Sequence, residues 1–164
     1  MGTNIVTSTT FTTASACKND ALVQYCFSPG SNCASVLVSN FEKASVSIHV
    51  LIYTFTLGSI REALIRAKNR GVDVRVVMER DNVNATGSEY EPLRLAGIDV
   101  RLDSNPALMH DKLAIVDGHI VITGSYNWTS AANNSNNENL VVIDDPRWAQ
   151  AFEWQFQSVY STAH

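Results

Sequence analysis

The stretch His110-Asp-Lys-Leu-Ala-Ile-Val-Asp-Gly-His-Ile-Val-Ile-Thr-Gly-Ser-Tyr-Asn127 decides how this chain is read. Lys112 to Val116 and His119 to Thr123 are both strand-like, and Asp117-Gly118 between them is a hairpin signal. A two-residue loop predicts that Val116 pairs with His119 and Ile115 with Ile120. That register sets Lys112 against Thr123 and His110 against Ser125. Opposed residues share a face, as do residues two apart on one strand. His110, Lys112, Ser125 and Asn127 are therefore expected to project together from the open end of the hairpin. A bulge at Gly124 would shift this by one residue. Both faces are otherwise apolar, the pattern of strands buried in a sheet covered on both sides. A lysine is costly there unless an anion pairs with it.

A histidine, a lysine, a hydroxyl and an amide on one face describe an oxyanion site. The lysine and the amide nitrogen hold phosphate oxygens, the hydroxyl donates, and the histidine attacks phosphorus or moves a proton. No carboxylate cluster of the kind that holds Mg²⁺ accompanies them in the sequence. The lysine is expected to supply the charge stabilisation a metal would otherwise give, and no cofactor is expected.

The pattern His110-x-Lys112-x₄-Asp117, followed by Gly124-Ser125-x-Asn127, resembles the signature of the phospholipase D superfamily. Glu138, in Asn-Asn-Glu-Asn-Leu-Val-Val-Ile, sits where that family carries a glutamate. Ile52-Tyr-Thr-Phe-Thr and Ala67-Lys-Asn-Arg-Gly-Val-Asp-Val-Arg-Val-Val look like its small members. The similarity spans roughly residues 21 to 160. The resemblance implies roles by position. His110 would be the nucleophile that forms a phosphohistidine, Lys112 and Asn127 would bind phosphate oxygens, and Ser125 would support them. Glu138 would orient the imidazole through its other nitrogen. Asp117 has a second reading, as the turn residue of the hairpin.

The two-step reaction needs one histidine as nucleophile and another as acid, and this chain carries the motif once. His49, in a predicted strand, reads as a core or surface histidine. His119 follows the turn and His164 is the last residue. The economical solution is a symmetric homodimer with one composite site on its two-fold axis. An inactive monomer is the competing possibility.

The chain has 164 residues, enough for one domain with a full core. Its hydrophobic content of 45% is that of an ordinary globular protein, and no apolar run reaches the length of a membrane span. Residues 1–18 are rich in Thr and Ser and read as a flexible tail, not a signal peptide, ahead of a domain over residues 19–164. A periplasmic or secreted protein whose signal has been removed is the expected setting, with a cytoplasmic one as the alternative. The net charge of −4 argues against a bulk nucleic-acid binder but not against a local basic groove. Candidates for such a groove are Arg61, Arg66, Lys68, Arg70, Arg75, Arg80, Arg94 and Arg101, most of them expected on ordinary solvated faces. Cys17, Cys26 and Cys33 allow one disulfide and a leftover thiol in an exported protein. A small zinc site, as in the Zucchini-type relatives, lacks an evident fourth ligand, and free thiols remain a third option.

The remaining elements follow from periodicity. Strands are expected over residues 22–27, 45–56, 72–78, 98–102 and 140–143, besides the hairpin. Helices are expected over residues 32–43, 57–70 and 88–96 and from Pro146 to about Tyr160. Trp148, Phe152 and Phe156 or Val159 would be the buried side of the last. Residues 131–137, rich in Asn, read as a loop lining the site. The fold class is α/β: a mixed central sheet flanked by helices on both faces, like one half of a phospholipase D. The function that fits best is a metal-independent phosphodiesterase acting on single-stranded DNA or RNA with little sequence specificity. Family resemblance implies 5′-phosphate and 3′-hydroxyl products. The alternative is a lipase cutting phosphatidyl lipids or cardiolipin, although no lipid-anchoring helix is evident. A third possibility is a non-catalytic nucleic-acid-binding dimer.

Overall fold

The hairpin strand that carries Lys112 is the centre of the sheet. The structure, a computed structural model, describes residues 22–164, so the expected N-terminal tail and Cys17 lie outside the described residues. In chain order the elements are β1 (Leu22–Ser28), α1 (Cys33–Lys43), β2 (Ser47–Ile52), α2 (Gly58–Asn69), β3 (Asp73–Met78), α3 (Tyr90–Leu95), β4 (Asp99–Leu102), β5 (Lys112–Val116), β6 (Ile120–Gly124), α4 (Ser130–Asn134), β7 (Glu138–Asp144) and α5 (Pro146–Tyr160). The strands form one sheet in the order β1-β7-β6-β5-β2-β3-β4. β2, β3 and β4 run parallel, and every other pairing is antiparallel.

Every residue of β5 is buried, as its continuous apolar run predicts. Ala114 and Val116 pack with Ile48, Val50 and Ile122 in the core that includes buried residues of α1 and α2. Leu113 and Ile115 pack with Leu51, Val77 and Val121 in the core beneath α5. The sequence predicts Trp148 on the buried side of α5, but it is 51% exposed. The stripe that reaches the sheet is Ala149, Phe152, Phe156 and Tyr160, at helical spacing, and Trp148 lies one position off it.

Three other expectations need correction. The ladder pairs Val116 with Ile120 and Leu113 with Thr123, one residue off the predicted register. The Asp117-Gly118 turn does form, with φ of 51° and 68° and the His119 amide donating to Val116 at 3.2 Å. His119 is the extra residue, because β7 claims it: its carbonyl accepts from the Asp145 amide and its ring pairs with Asp144. The Asn-rich segment is not all loop. Thr129 caps α4 by accepting from the Ala132 amide, and β7 begins at Glu138 because β1 pairs with it that far. Finally, β2 ends at Ile52. The Tyr53 amide turns to the Asp111 carbonyl, and the Asn82 side chain takes the Tyr53 carbonyl.

A disulfide joins Cys26 on the edge strand β1 to Cys33 at the start of α1. At the turn, the Asp117 carboxylate accepts from the amides of Ser45, Val46 and Ser47 and from the Ser45 hydroxyl. It thereby fastens the α1–β2 connection to the end of the hairpin farthest from Lys112. Burial works to raise the Asp117 carboxyl, but hydrogen bonds from Ser47, Val46 and Ser45 outweigh it and hold the group below the usual carboxylate range. With the folded value depressed, the stabilisation is complete above the ordinary carboxylate value. It is lost as pH falls through the folded one. Asp117→Asn is therefore expected to cost about 1–2 kcal/mol at neutral pH, with the gap to the parent closing below about pH 4. Urea unfolding across that range checks this, and a gap independent of pH would contradict it.

Candidate active site

The carboxyl ends of β2, β3 and β4 and the start of β5 meet at one end of the sheet, and the motif residues collect there. His110 is exposed on the segment that enters β5. Lys112, at the first position of β5, is only 7% exposed. Its ammonium donates to the His110 carbonyl at 2.7 Å and lies 4.7 Å from the centre of the Tyr53 ring. That ring packs against the His110 imidazole at 4.4 Å. Tyr53 thus touches both the histidine and the lysine, through a cation–π contact on one and a tilted ring contact on the other. Burial lowers the Lys112 ammonium below its ordinary range, while Asp111 and Glu138 act to raise it.

Ser125 is placed by a bulge. The amides of Ser125 and Tyr126 both donate to the Asn139 carbonyl, at 3.1 and 3.3 Å. This is the irregularity that the sequence allows at Gly124, whose φ is +148°. A Cβ there would stand 2.2 Å from that same carbonyl oxygen, so no side chain fits. The bulge turns Ser125 toward β7, where its hydroxyl donates to Glu138 at 2.5 Å and accepts from the Asn139 amide. The other oxygen of Glu138 accepts from Asn136 at 3.1 Å. No hydrogen bond joins Glu138 to the His110 ring among the described residues, so in the single chain Tyr53 is the ring's neighbour.

Asn127 precedes Trp128, whose amide donates to Thr54 beside Tyr53. Its side-chain oxygen is buried without a hydrogen-bond partner. The orphan atom is an acceptor, which a phosphate oxygen cannot satisfy; the side-chain nitrogen is the donor that a phosphate would need. Asp117 is not brought to this end: its carboxylate is occupied at the opposite end of the hairpin, as the turn reading requires. Nor does a broad basic groove form. Of the predicted candidates, Arg61, Arg66, Arg70, Arg75, Arg94 and Arg101 all pair with carboxylates. His49 lies half-buried under α5, bonded to Glu153 and stacked on Phe156.

Two contributors escape the sequence reading. Tyr53 appears there only within the family-like stretch Ile52-Tyr-Thr-Phe-Thr, and Glu79 is given no role. Glu79 is 2% exposed. Its carboxylate accepts from the Met109 amide at 2.6 Å and from the Asp81 amide at 3.1 Å, which fixes the residue before His110. Neither role has a local sequence signal, and Glu79, directly before Arg80, reads as an ordinary surface charge. Among the described residues no group of three His, Cys, Asp or Glu is placed to hold a metal ion. A charge-stabilising lysine and an exposed imidazole suit chemistry on an oxyanion such as a phosphodiester.

The family model for the cardiolipin synthase, PLD-like domain matches residues 37–160. A mitochondrial cardiolipin hydrolase of Xenopus tropicalis is 39% identical over 118 residues, 72% of this chain and 56% of that protein. A phospholipase D of Rickettsia conorii is 38% identical over 130 residues, 79% of this chain and 65% of that one. The chain thus spans somewhat over half the length of these curated relatives. The solved structure of Nuc from Salmonella typhimurium, described as a phospholipase D family member, superposes with a TM-score of 0.84 at 36% identity. That match covers 88% of this chain and 97% of Nuc.

Glu79 acts through His110 and not on a substrate. Glu79→Ala leaves the buried Met109 amide and the part-buried Asp81 amide without an acceptor and is expected to lower kcat about ten- to a hundredfold on any small phosphodiester, with KM nearly unchanged. Steady-state kinetics on bis(p-nitrophenyl) phosphate measures it; an unchanged kcat would show that the anchor does not serve the histidine.

Proposed function

This chain belongs to the phospholipase D superfamily, and on that premise we propose that it is a metal-independent endonuclease cutting single-stranded DNA or RNA through a phosphohistidine. The observation that carries the proposal is the Lys112–His110–Tyr53 contact at the exposed end of the sheet. A ring nitrogen of His110 attacks phosphorus, and the bond from phosphorus to the leaving 3′-oxygen breaks. Lys112 and Asn127 hold the non-bridging oxygens, where charge accumulates. The proton on the leaving oxygen comes from His110 of the partner subunit, since this chain supplies one such histidine. Water then attacks the phosphohistidine, gives its proton back to that second histidine, and releases a 5′-phosphate. The Ser125 hydroxyl, which donates to Glu138 of β7, secures the end of β6 that leads to Asn127. The composite site places two copies on a two-fold axis.

Nucleic acid is favoured over lipid because the match to Nuc spans nearly all of both chains, whereas the relatives named for lipid substrates are matched over only 56% and 65% of their length. The lipid reading has its own support in those names and in the exposed Leu22, Val23, Tyr25 and Phe27 on the edge strand β1. No helix among the described residues is long and apolar enough to cross a membrane.

A labelled single-stranded DNA and a fluorescent phospholipid, each with excess EDTA, separate the two readings. The expected result is DNA cleavage that survives EDTA, lipid left intact, and a loss of about a thousandfold or more in His110→Ala with its thermal transition retained. Lipid turnover alone would move the assignment to the lipase, and DNA cleavage abolished by EDTA would overturn the mechanism.

A further inference from the structure

Seven of the eight arginines of this acidic chain are spent on carboxylates within the molecule. Arg61, Arg66, Arg70, Arg75, Arg94, Arg101 and Arg147 each have a carboxylate within 4 Å. Arg80 is the arginine with no carboxylate partner among the described residues. Its guanidinium, exposed to solvent, makes one hydrogen bond, to the Asn105 carbonyl at 3.3 Å. Lys43 and Lys68 have no carboxylate partner among the described residues either. They stand at the far end of the sheet, where α1 and α2 lead into β2 and β3. Arg80 follows β3 at the near end, where Lys112 opens β5.

Arg80 is also tied to the segment that delivers His110. Glu79 beside it holds Met109, and Arg80 holds Asn105. Asn105 and His110 line one groove of about 680 Å³, together with Asp103, Ser104, Asp111 and Gln155. No lysine or arginine lines this groove. Asp103 is 1% exposed, and its second carboxylate oxygen has no partner. Carboxylates repel a phosphate but accept hydrogen bonds from hydroxyl, imino or amino groups. The groove therefore suits the neutral, donor-bearing part of a substrate, and two of its lining residues are bonded to cations, Asn105 to Arg80 and His110 to Lys112.

We propose that Arg80 is a second anion-binding point, which takes the phosphate adjacent to the one held at His110 and Lys112. The preferred substrate then carries at least two phosphodiesters separated by a neutral, hydroxyl- or amide-bearing unit. An oligonucleotide and a diphosphate lipid such as cardiolipin share this chemistry. The inference rests on the proposed phosphodiesterase reading for its scissile end.

Two measurements test it, each with Arg80→Gln and with Lys68→Gln as the control from the far end. In a His110→Asn background, binding of oligothymidylate is followed against salt. Losing one phosphate contact lowers the slope of log affinity on log salt by about 0.7, and Lys68→Gln leaves it unchanged. In the active chain, kcat/KM is compared between a dinucleotide with one phosphate and a trinucleotide with two, and between phosphatidylglycerol and cardiolipin. The expected loss in Arg80→Gln is about five- to tenfold, in KM, on two-phosphate substrates only. Loss confined to the trinucleotide names nucleic acid as the source of the second phosphate, and loss confined to cardiolipin names lipid. Equal loss on one- and two-phosphate substrates, or an unchanged salt slope and unchanged kinetics, overturns the proposal. If the parent cleaves nothing, the phosphodiesterase reading fails by itself, while the salt slope still decides Arg80.

Discussion

The arrangement depends on one costly placement: a lysine at the head of the most buried strand in the sheet. An ammonium taken out of water at the start of β5 loses hydration that the apolar residues around it cannot replace. Two groups meet that cost in part, the His110 carbonyl and the face of Tyr53. Both belong to the site, so the contacts that make Lys112 tolerable also hold the chain at His110 in place. An arriving anion completes the compensation, and the site is thereby built to gain more from a doubly charged transition state than from a singly charged ground state.

The rest of the fold serves to keep that strand end fixed. Asp117 clamps the far end of the hairpin, Glu79 anchors Met109 at the near end, and the Gly124 bulge aims Ser125 at Glu138. These are polar groups held by backbone amides, and they are directional where apolar packing is not. The two cores on either side of the sheet supply the bulk of the stability, and a few buried hydrogen bonds supply the geometry. The Glu138 carboxylate is committed to Ser125 and Asn136, so its effect on the site is to secure β6 against β7 and to act through space on Lys112.

The sequence made most of this legible where a local rule determines the outcome. The buried run of β5, the turn at Asp117-Gly118, the glycine stop after α2 and the Asp145-Pro146 start of α5 are all readable because each depends on near neighbours. The misses are tertiary. The one-residue slip in the hairpin comes from β7 taking His119, and no pattern within the hairpin announces it. Trp148 looks apolar and turns outward because the sheet is met by the stripe beginning at Ala149. The helix α4 was hidden by its asparagines, although Thr129 is an ordinary cap. Glu79 and Tyr53 are not legible in the sequence because Tyr53 meets His110 across 57 positions by ring contact and Glu79 meets Met109 across 30 by hydrogen bond. Single-sequence spacing carries no trace of either.

The central claim is that His110 carries the phosphoryl group, and the direct measurement is a search for that adduct. The protein is mixed with single-stranded DNA for less than one turnover, denatured in alkali and digested, and its peptides are weighed. The account predicts a phosphoramidate on the peptide containing His110, stable in base and lost in acid. DNA cleavage proceeding with no adduct on that peptide, or with an adduct on another residue, would contradict it.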